Sequence, residues 1–201
     1  MNETSEKFGS GESIITVFGS SRPAAGDADY DQALFLGKAL ATHGFAVCTG
    51  GYGGVMEAVS RGAKENGGKT YGVTAEFFAR TVNPWIDMEM RKRTWQGRLF
   101  TLIELGHGFV VCKGGTGTLV ELAVVWEMLN KSVMKPKPFA VLGDFWQPIL
   151  ERVRLVEWDT VLAQGSHAWG EANGSLVHCA ATVEEAVQFL TATIPSVDRK
   201  R

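Results

Sequence analysis

A chain of 201 residues with 45% hydrophobic content can bury one well-formed core and is short for two, so one domain is expected. Lys and Arg total 20 against 22 acids, a formal charge of -2, which excludes a basic field drawing the protein to nucleic acid or anionic membrane. The polar start, residues 1–13, lacks a signal peptide's basic and apolar regions, and no apolar run approaches the roughly 20 residues that cross a bilayer; a cytoplasmic location without membrane partners is expected.

In chain order, residues 14–19 read as a first strand that ends in Gly19-Ser20-Ser21-Arg22. A helix over 30–43 carries Leu34, Leu36 and Leu40 among its apolar positions. Residues 45–48 form a second strand, followed by Thr49-Gly50-Gly51-Tyr52-Gly53-Gly54 and a helix to about residue 66. A third strand covers 69–73. Residues 81–87, with Asn83-Pro84, break the alternation and are expected to loop over the site, and a helix is expected over 88–105. The fourth strand, 109–112, runs into Lys113-Gly114-Gly115-Thr116-Gly117-Thr118 and a further helix. Lys135-Pro136-Lys137-Pro138 is a stiff entry to a fifth strand over 139–142. Residues 165–174 are a polar surface loop before a sixth strand over 176–179 and a last helix over 183–192.

Strands alternating with helices at this spacing imply parallel pairing through right-handed crossovers. The fold expected is α/β: a single-domain, Rossmann-like, doubly wound parallel sheet with helices on both faces, over residues 14–195 between flexible ends 1–13 and 196–201. Ligands of such sheets bind at the carboxyl ends of the strands.

Three glycine-bearing strand ends on one edge can line one cleft, which makes Gly19, Ser20, Gly50, Gly51, Gly53, Gly54, Gly114, Gly115, Thr116, Gly117 and Thr118 candidate phosphate- or nucleotide-binding residues. Glycines at 114, 115 and 117 allow positive φ and close backbone approach. A helix beginning near Thr118 would offer unpaired N–H groups and the positive end of its dipole to an anion. Thr118 and Glu121 also have the spacing of a capping box, a purely structural explanation. The turn matches neither the dinucleotide fingerprint nor a P-loop.

On the 88–105 helix, Trp95, Leu99, Leu102 and Ile103 form an apolar stripe, with Arg98 at its border and Arg91 on the same side. A partly buried Arg98 needs an anion, and the alternative is a guanidinium snorkelling to water. Gly97 in a helix interior suggests close approach by a ligand or another helix. Arg91, Lys92 and Arg93 read as a solvated face, and Trp95 as core or subunit contact rather than a stacking platform. Glu57 either caps its helix or touches substrate. Cys48, Cys112 and Cys179 read as buried structural thiols. His43, His107, His167 and His178 show no zinc spacing, so neither metal nor cofactor is expected.

Three motifs give the chain a family resemblance. Val17-Phe18-Gly19-Ser20-Ser21, Gly50-Gly51-Tyr52-Gly53-Gly54-Val55-Met56 and the stretch from Gly114 to Glu121 resemble the V-F-x-G-S-S, G-G-x-x-G-L-M and P-G-G-x-G-T-x-x-E motifs of the Lonely Guy family, lysine-decarboxylase-like in older naming. Characterised members are phosphoribohydrolases of cytokinin riboside 5'-monophosphates. The resemblance spans roughly residues 14–150 and implies a homodimer acting on a nucleoside monophosphate, with helices carrying Trp95 and Trp126 as candidate contacts. It implies catalytic roles for Arg98 and Glu121: Glu121 beneath the ribose, Arg98 fixing it, and the 5'-phosphate on the amides of the Gly114–Thr118 turn with Gly51 and Gly53 opposite. Lys113 replaces the motif's proline, Trp95-Gln96-Gly97-Arg98 replaces M-H-E-R, and Glu57 stands where glycine is usual. What surrounds the base has therefore changed, and cytokinin specificity is not carried over. Related chains bind nucleotides or carry the molybdenum cofactor without cleaving, which is the alternative function.

Overall fold

The computed structural model describes residues 11–164 and 176–194. Its sheet follows from strands whose alternate side chains are apolar in both directions. In β1 (Ile14–Phe18), Ile14 and Phe18 enter one core cluster while Ile15 and Val17 enter the other. β2 (Ala46–Thr49), β3 (Thr70–Ala75), β5 (Gly108–Val111) and β6 (Phe139–Leu142) are buried throughout, as strands covered on both faces must be. With β4 (Met88–Lys92) and β7 (His178–Ala180) they form one seven-stranded sheet in the order β4-β3-β2-β1-β5-β6-β7, every pair parallel.

Helices α1 (Ala28–Thr42), α2 (Val55–Glu65) and α6 (Val183–Thr193) cover one face through Leu36, Leu40, Val59, Val187 and Leu190. The other face receives Leu99 and Leu102 of α3 (Trp95–Leu105), Leu122, Val125 and Trp126 of α4 (Thr116–Asn130), and Leu150 of α5 (Gln147–Gln164). This is the expected Rossmann-like α/β fold. Strand order reverses between β1 and β5, the switch point where such sheets open a crevice. α1 and α2 cross very closely: a Cβ on Gly37 would collide with the Val59 carbonyl, and one on Gly62 with that of Leu34.

The expectation of six strands is corrected to seven. Residues 88–92 are not the start of a helix but an edge strand, paired with β3 through Val73↔Met90 and Thr74↔Arg91. Only Met90 is buried there, between exposed Glu89 and Arg91, an alternation of period two too short to stand out beside the helical stripe that follows. Arg91 therefore does not share a helix face with Arg98. α3 starts at Trp95 behind Thr94, whose Oγ1 accepts from the Gly97 N–H at 3.0 Å. A Cβ on Gly97 would lie 2.9 Å from that hydroxyl, so the glycine eases the cap, not the approach of a ligand.

At the far end of α3 the Lys137 ammonium donates to the carbonyls of Ile103 (3.1 Å) and Gly106 (2.6 Å), giving the lysine of the proline-rich entry a role as a helix C-terminal partner. Burial pushes the thiols of Cys48 and Cys112 up to about 12, so both are inert. Cys179 is only half-buried, which corrects the expectation for the third thiol. Trp126 is buried in the core of its own chain, whereas Trp95 is 43% exposed. The terminal segments 1–10 and 195–201 and the expected loop at 165–174 lie outside the described residues.

Candidate functional site

The three glycine turns meet at the switch point and lock together through Ser20. Its N–H donates to the Lys113 carbonyl at 3.1 Å, and its own carbonyl accepts from the Val55 N–H at 2.8 Å. Several of the glycines exist for this contact. A Cβ on Gly19 would strike Val55, one on Gly54 (φ 71°) the Ser20 carbonyl, and one on Gly114 the Thr118 side chain. Gly115 and Gly117 differ, for a Cβ on either would meet nothing within 4 Å. Their freedom faces the cleft. Contrary to expectation, none of Gly114, Gly115 and Gly117 has positive φ.

α4 begins at Thr116 behind Gly115, and no side chain caps it. The capping box of Thr118 and Glu121 is thus not formed: Thr118 sits buried inside the first turn, three positions past the cap at Gly115. Lacking a cap, the first-turn N–H groups of Thr116, Gly117 and Thr118 have no intrahelical acceptor and point with the helix dipole at whatever lies in front.

One turn further on, the Glu121 side chain, 15% exposed, meets Arg98, with Nη1 3.8 Å from Oε1. Arg98 does not snorkel. It is buried, donates from Nε to the Val73 carbonyl at 2.8 Å and from Nη2 to the Gly50 carbonyl at 3.3 Å, and lies 5.7 Å from the Tyr52 ring centre. A Cβ on Gly50 would collide with Nη2, so this glycine makes room for the guanidinium. Burial pushes the Glu121 carboxyl from 4.5 up to about 7, with the Arg98 charge countering only in part.

These groups line a cleft of about 880 Å³ together with Gly19, Ser20, Ser21 and the Gly114–Thr118 turn. Of the expected binding residues, Gly50, Gly51, Gly53 and Gly54 do not line it. They shape the wall behind Tyr52. Gly51 (φ 77°) accepts from the Asn83 N–H at 2.8 Å, and Asn83 Nδ2 donates to the Tyr52 carbonyl at 3.0 Å, so the 81–87 loop buttresses this turn. Glu57 also stays off the cleft, accepting from Tyr30 Oη at 3.5 Å.

Residues that sequence reasoning passed over complete the rim: Tyr52 and Met56 from the second turn, Phe78 and Arg80 after β3, and Phe145 after β6. The signal was available, since each follows the carboxyl end of a strand as surely as the glycine turns do. Lys113, where the resembling motif has proline, reaches across the cleft mouth to Asp29 with Nζ 3.0 Å from Oδ2. Among the described residues no cluster of His, Cys, Asp and Glu could hold a metal ion, and no helix is long and apolar enough to cross a membrane.

Known structures resemble this one over nearly its whole length. The molybdenum cofactor binding protein of the phototrophic bacterium Rippkaea orientalis superposes with a TM-score of 0.69 at 24% identity, over 90% of this chain and 96% of that one, a likeness of fold. The molybdenum cofactor carrier protein of Chlamydomonas reinhardtii gives 0.67 at 25% identity, over 90% and 97%. An uncharacterized protein of Archaeoglobus fulgidus is 29% identical over 121 residues, 59% of this chain and 79% of that one. The sequence model that matches covers residues 12–152, from the first strand to the start of α5 with Arg98 and Glu121 inside it, and the chain belongs to the SLOG cluster4 family.

Proposed function

We propose that the chain binds a phosphorylated, flat-ringed small molecule and holds it without cleaving it, as a nucleotide- or molybdenum-cofactor-binding protein. The observation that carries this reading is the uncapped start of α4, with Gly115 and Gly117 open toward the cleft at the sheet's switch point. The phosphate takes the amides of Thr116, Gly117 and Thr118, and the ring lies toward the aromatic rim. The molybdenum cofactor carrier likeness supports the non-catalytic form. A metal-bearing ligand would be held through its phosphate and ring, because Cys48 and Cys112 are buried and their thiols stay protonated. A cytoplasmic homodimer, using the exposed Trp95 edge of α3, belongs to the same proposal.

One observation favours a second reading, the phosphoribohydrolase of the Lonely Guy type. The Arg98–Glu121 pair is intact at the cleft floor. In that reaction the C1'–N bond of a nucleoside 5'-monophosphate breaks and the base leaves with the bonding electrons and a proton. Water supplies the hydroxyl at C1', and the products are free base and ribose 5-phosphate. Ionised Glu121 would stabilise the positive charge developing on the ribose. With a carboxyl that ionises near 7, the rate would rise with pH through neutrality.

Equilibrium binding of molybdenum cofactor and of AMP, with chromatography of the AMP mixture for free base, separates the readings. Saturable binding without base release supports the binding protein. Base release that Glu121→Gln abolishes replaces it with the hydrolase, and absence of any binding refutes both.

A further inference from the structure

The cleft carries two aromatic platforms of one design. At the β3 end, Phe78 (37% exposed) stands edge-on to Tyr52, ring centres 5.7 Å apart and planes at 87°. Tyr52 is buried and pinned, its hydroxyl accepting from the Ala75 N–H at 2.9 Å. At the β6 end, Phe145 (44% exposed) stands edge-on to Trp146, 4.9 Å and 88°. Trp146 is buried and pinned as well, with Nε1 donating to the Cys112 carbonyl at 2.9 Å. Each platform is an exposed phenylalanine held at a fixed angle by a buried ring tied to the backbone, and both phenylalanines line the same cleft.

Between the platforms lie the Ser20 turn and the open start of α4. β3 and β6 are four strand steps apart, roughly 19 Å at about 4.8 Å per step. A single nucleoside monophosphate anchored at α4 reaches one platform and leaves the other ring in water. The rim beside the Ser20 turn carries Arg22 and Arg80, neither of which forms an ion pair among the described residues; the Arg80 guanidinium donates from Nη1 to Ser21 Oγ at 3.4 Å. Two guanidinium forks in addition to the helix start suit a bridge with more than one phosphate.

We propose that the ligand class is a dinucleotide: two flat ring systems, one against Phe78 and one against Phe145, joined by a pyrophosphate that crosses the start of α4. This rests on the reading that the cleft binds a phosphorylated ring compound, and it names which kind.

Calorimetric titration of the full chain with NAD+, diadenosine diphosphate and AMP, at one salt concentration, tests it. The expected result is that a dinucleotide binds about ten-fold or more tighter than AMP, the yield of one added stacked ring. Phe78→Ala and Phe145→Ala, both at exposed positions and checked by thermal melts, should each lower dinucleotide affinity by about ten-fold. AMP binding as tightly as both dinucleotides, or dinucleotide affinity unmoved by both substitutions, overturns the inference while leaving the underlying reading intact. If none of the three compounds binds, that reading as applied to nucleotides falls with it.

Discussion

Burial keeps the Glu121 carboxyl protonated to about pH 7, against 4.5 in an open chain, and this ties the site to the stability of the whole protein. The folded state holds that proton more tightly than the unfolded state, so folding is favoured at low pH and loses this advantage as pH rises from about 4.5 through 7. The loss amounts to about 3 kcal/mol, from about 1.4 kcal/mol per unit of difference. Glu121→Gln cannot titrate. Its unfolding free energy should therefore lack this fall, and above pH 7 the variant should gain on the wild type relative to pH 5, measured by denaturant titration at both values. Parallel pH profiles for the two proteins would show that the carboxyl is not desolvated in solution. A destabilising ionised group kept on the floor of a cleft is what a functional site does to its scaffold.

At the scale of the element, α4 separates two kinds of glycine that look identical in the sequence. Gly114 is crowded by Thr118, so Gly114→Ala should destabilise the fold by about 1–3 kcal/mol through forced repacking. Gly117 has open space and lies in the first turn of the helix, where alanine raises stability by up to about 1 kcal/mol. Gly117→Ala should thus melt at or above the wild-type temperature and still bind a phosphorylated ligand more weakly, because its methyl group would stand where the proposed phosphate site lies. Unchanged ligand affinity in that variant would remove the helix start from the site. The sequence could place the turn but not rank its glycines, since the crowding of Gly19 by Val55 and of Gly54 by Ser20 comes from the tertiary contact between turns, and that of Gly114 by Thr118 from where α4 begins. The same limit explains β4: one buried methionine between charged neighbours is a weak strand signal, and the pairing with Tyr71–Ala75 that makes it a strand is non-local. What was legible was whatever depends on local pattern, namely the buried strands, the helix stripes and the glycines at strand ends. Arg98 was flagged by its place on a stripe, but its choice between water and the interior was decided by carbonyls on β3 and the second turn.

Across the whole molecule, two layers of helices clamp the sheet, and on one of them the clamp depends on Gly37 and Gly62. Each leaves a carbonyl of the facing helix where a methyl group would stand, so Gly37→Ala and Gly62→Ala should push α1 from α2 and lower stability by about 1–3 kcal/mol each, read by thermal or denaturant unfolding. Together they should act less than additively, because the first substitution already separates the helices that the second would separate. Wild-type stability in either variant would mean that the helices re-space freely. The Ser20 hub has a corresponding effect at the other end of the sheet. Its turn is tied to both neighbouring turns, so the floor of the cleft cannot drift in sequence without disturbing the fold. Arg22, Phe78, Arg80 and Phe145 stand on the rim, outside that knot, and none of the four is buried. On the proposed reading, single substitutions at the rim can therefore change which ligand the cleft takes while leaving the knotted floor intact, so that chains sharing every glycine of this site can differ in what they hold.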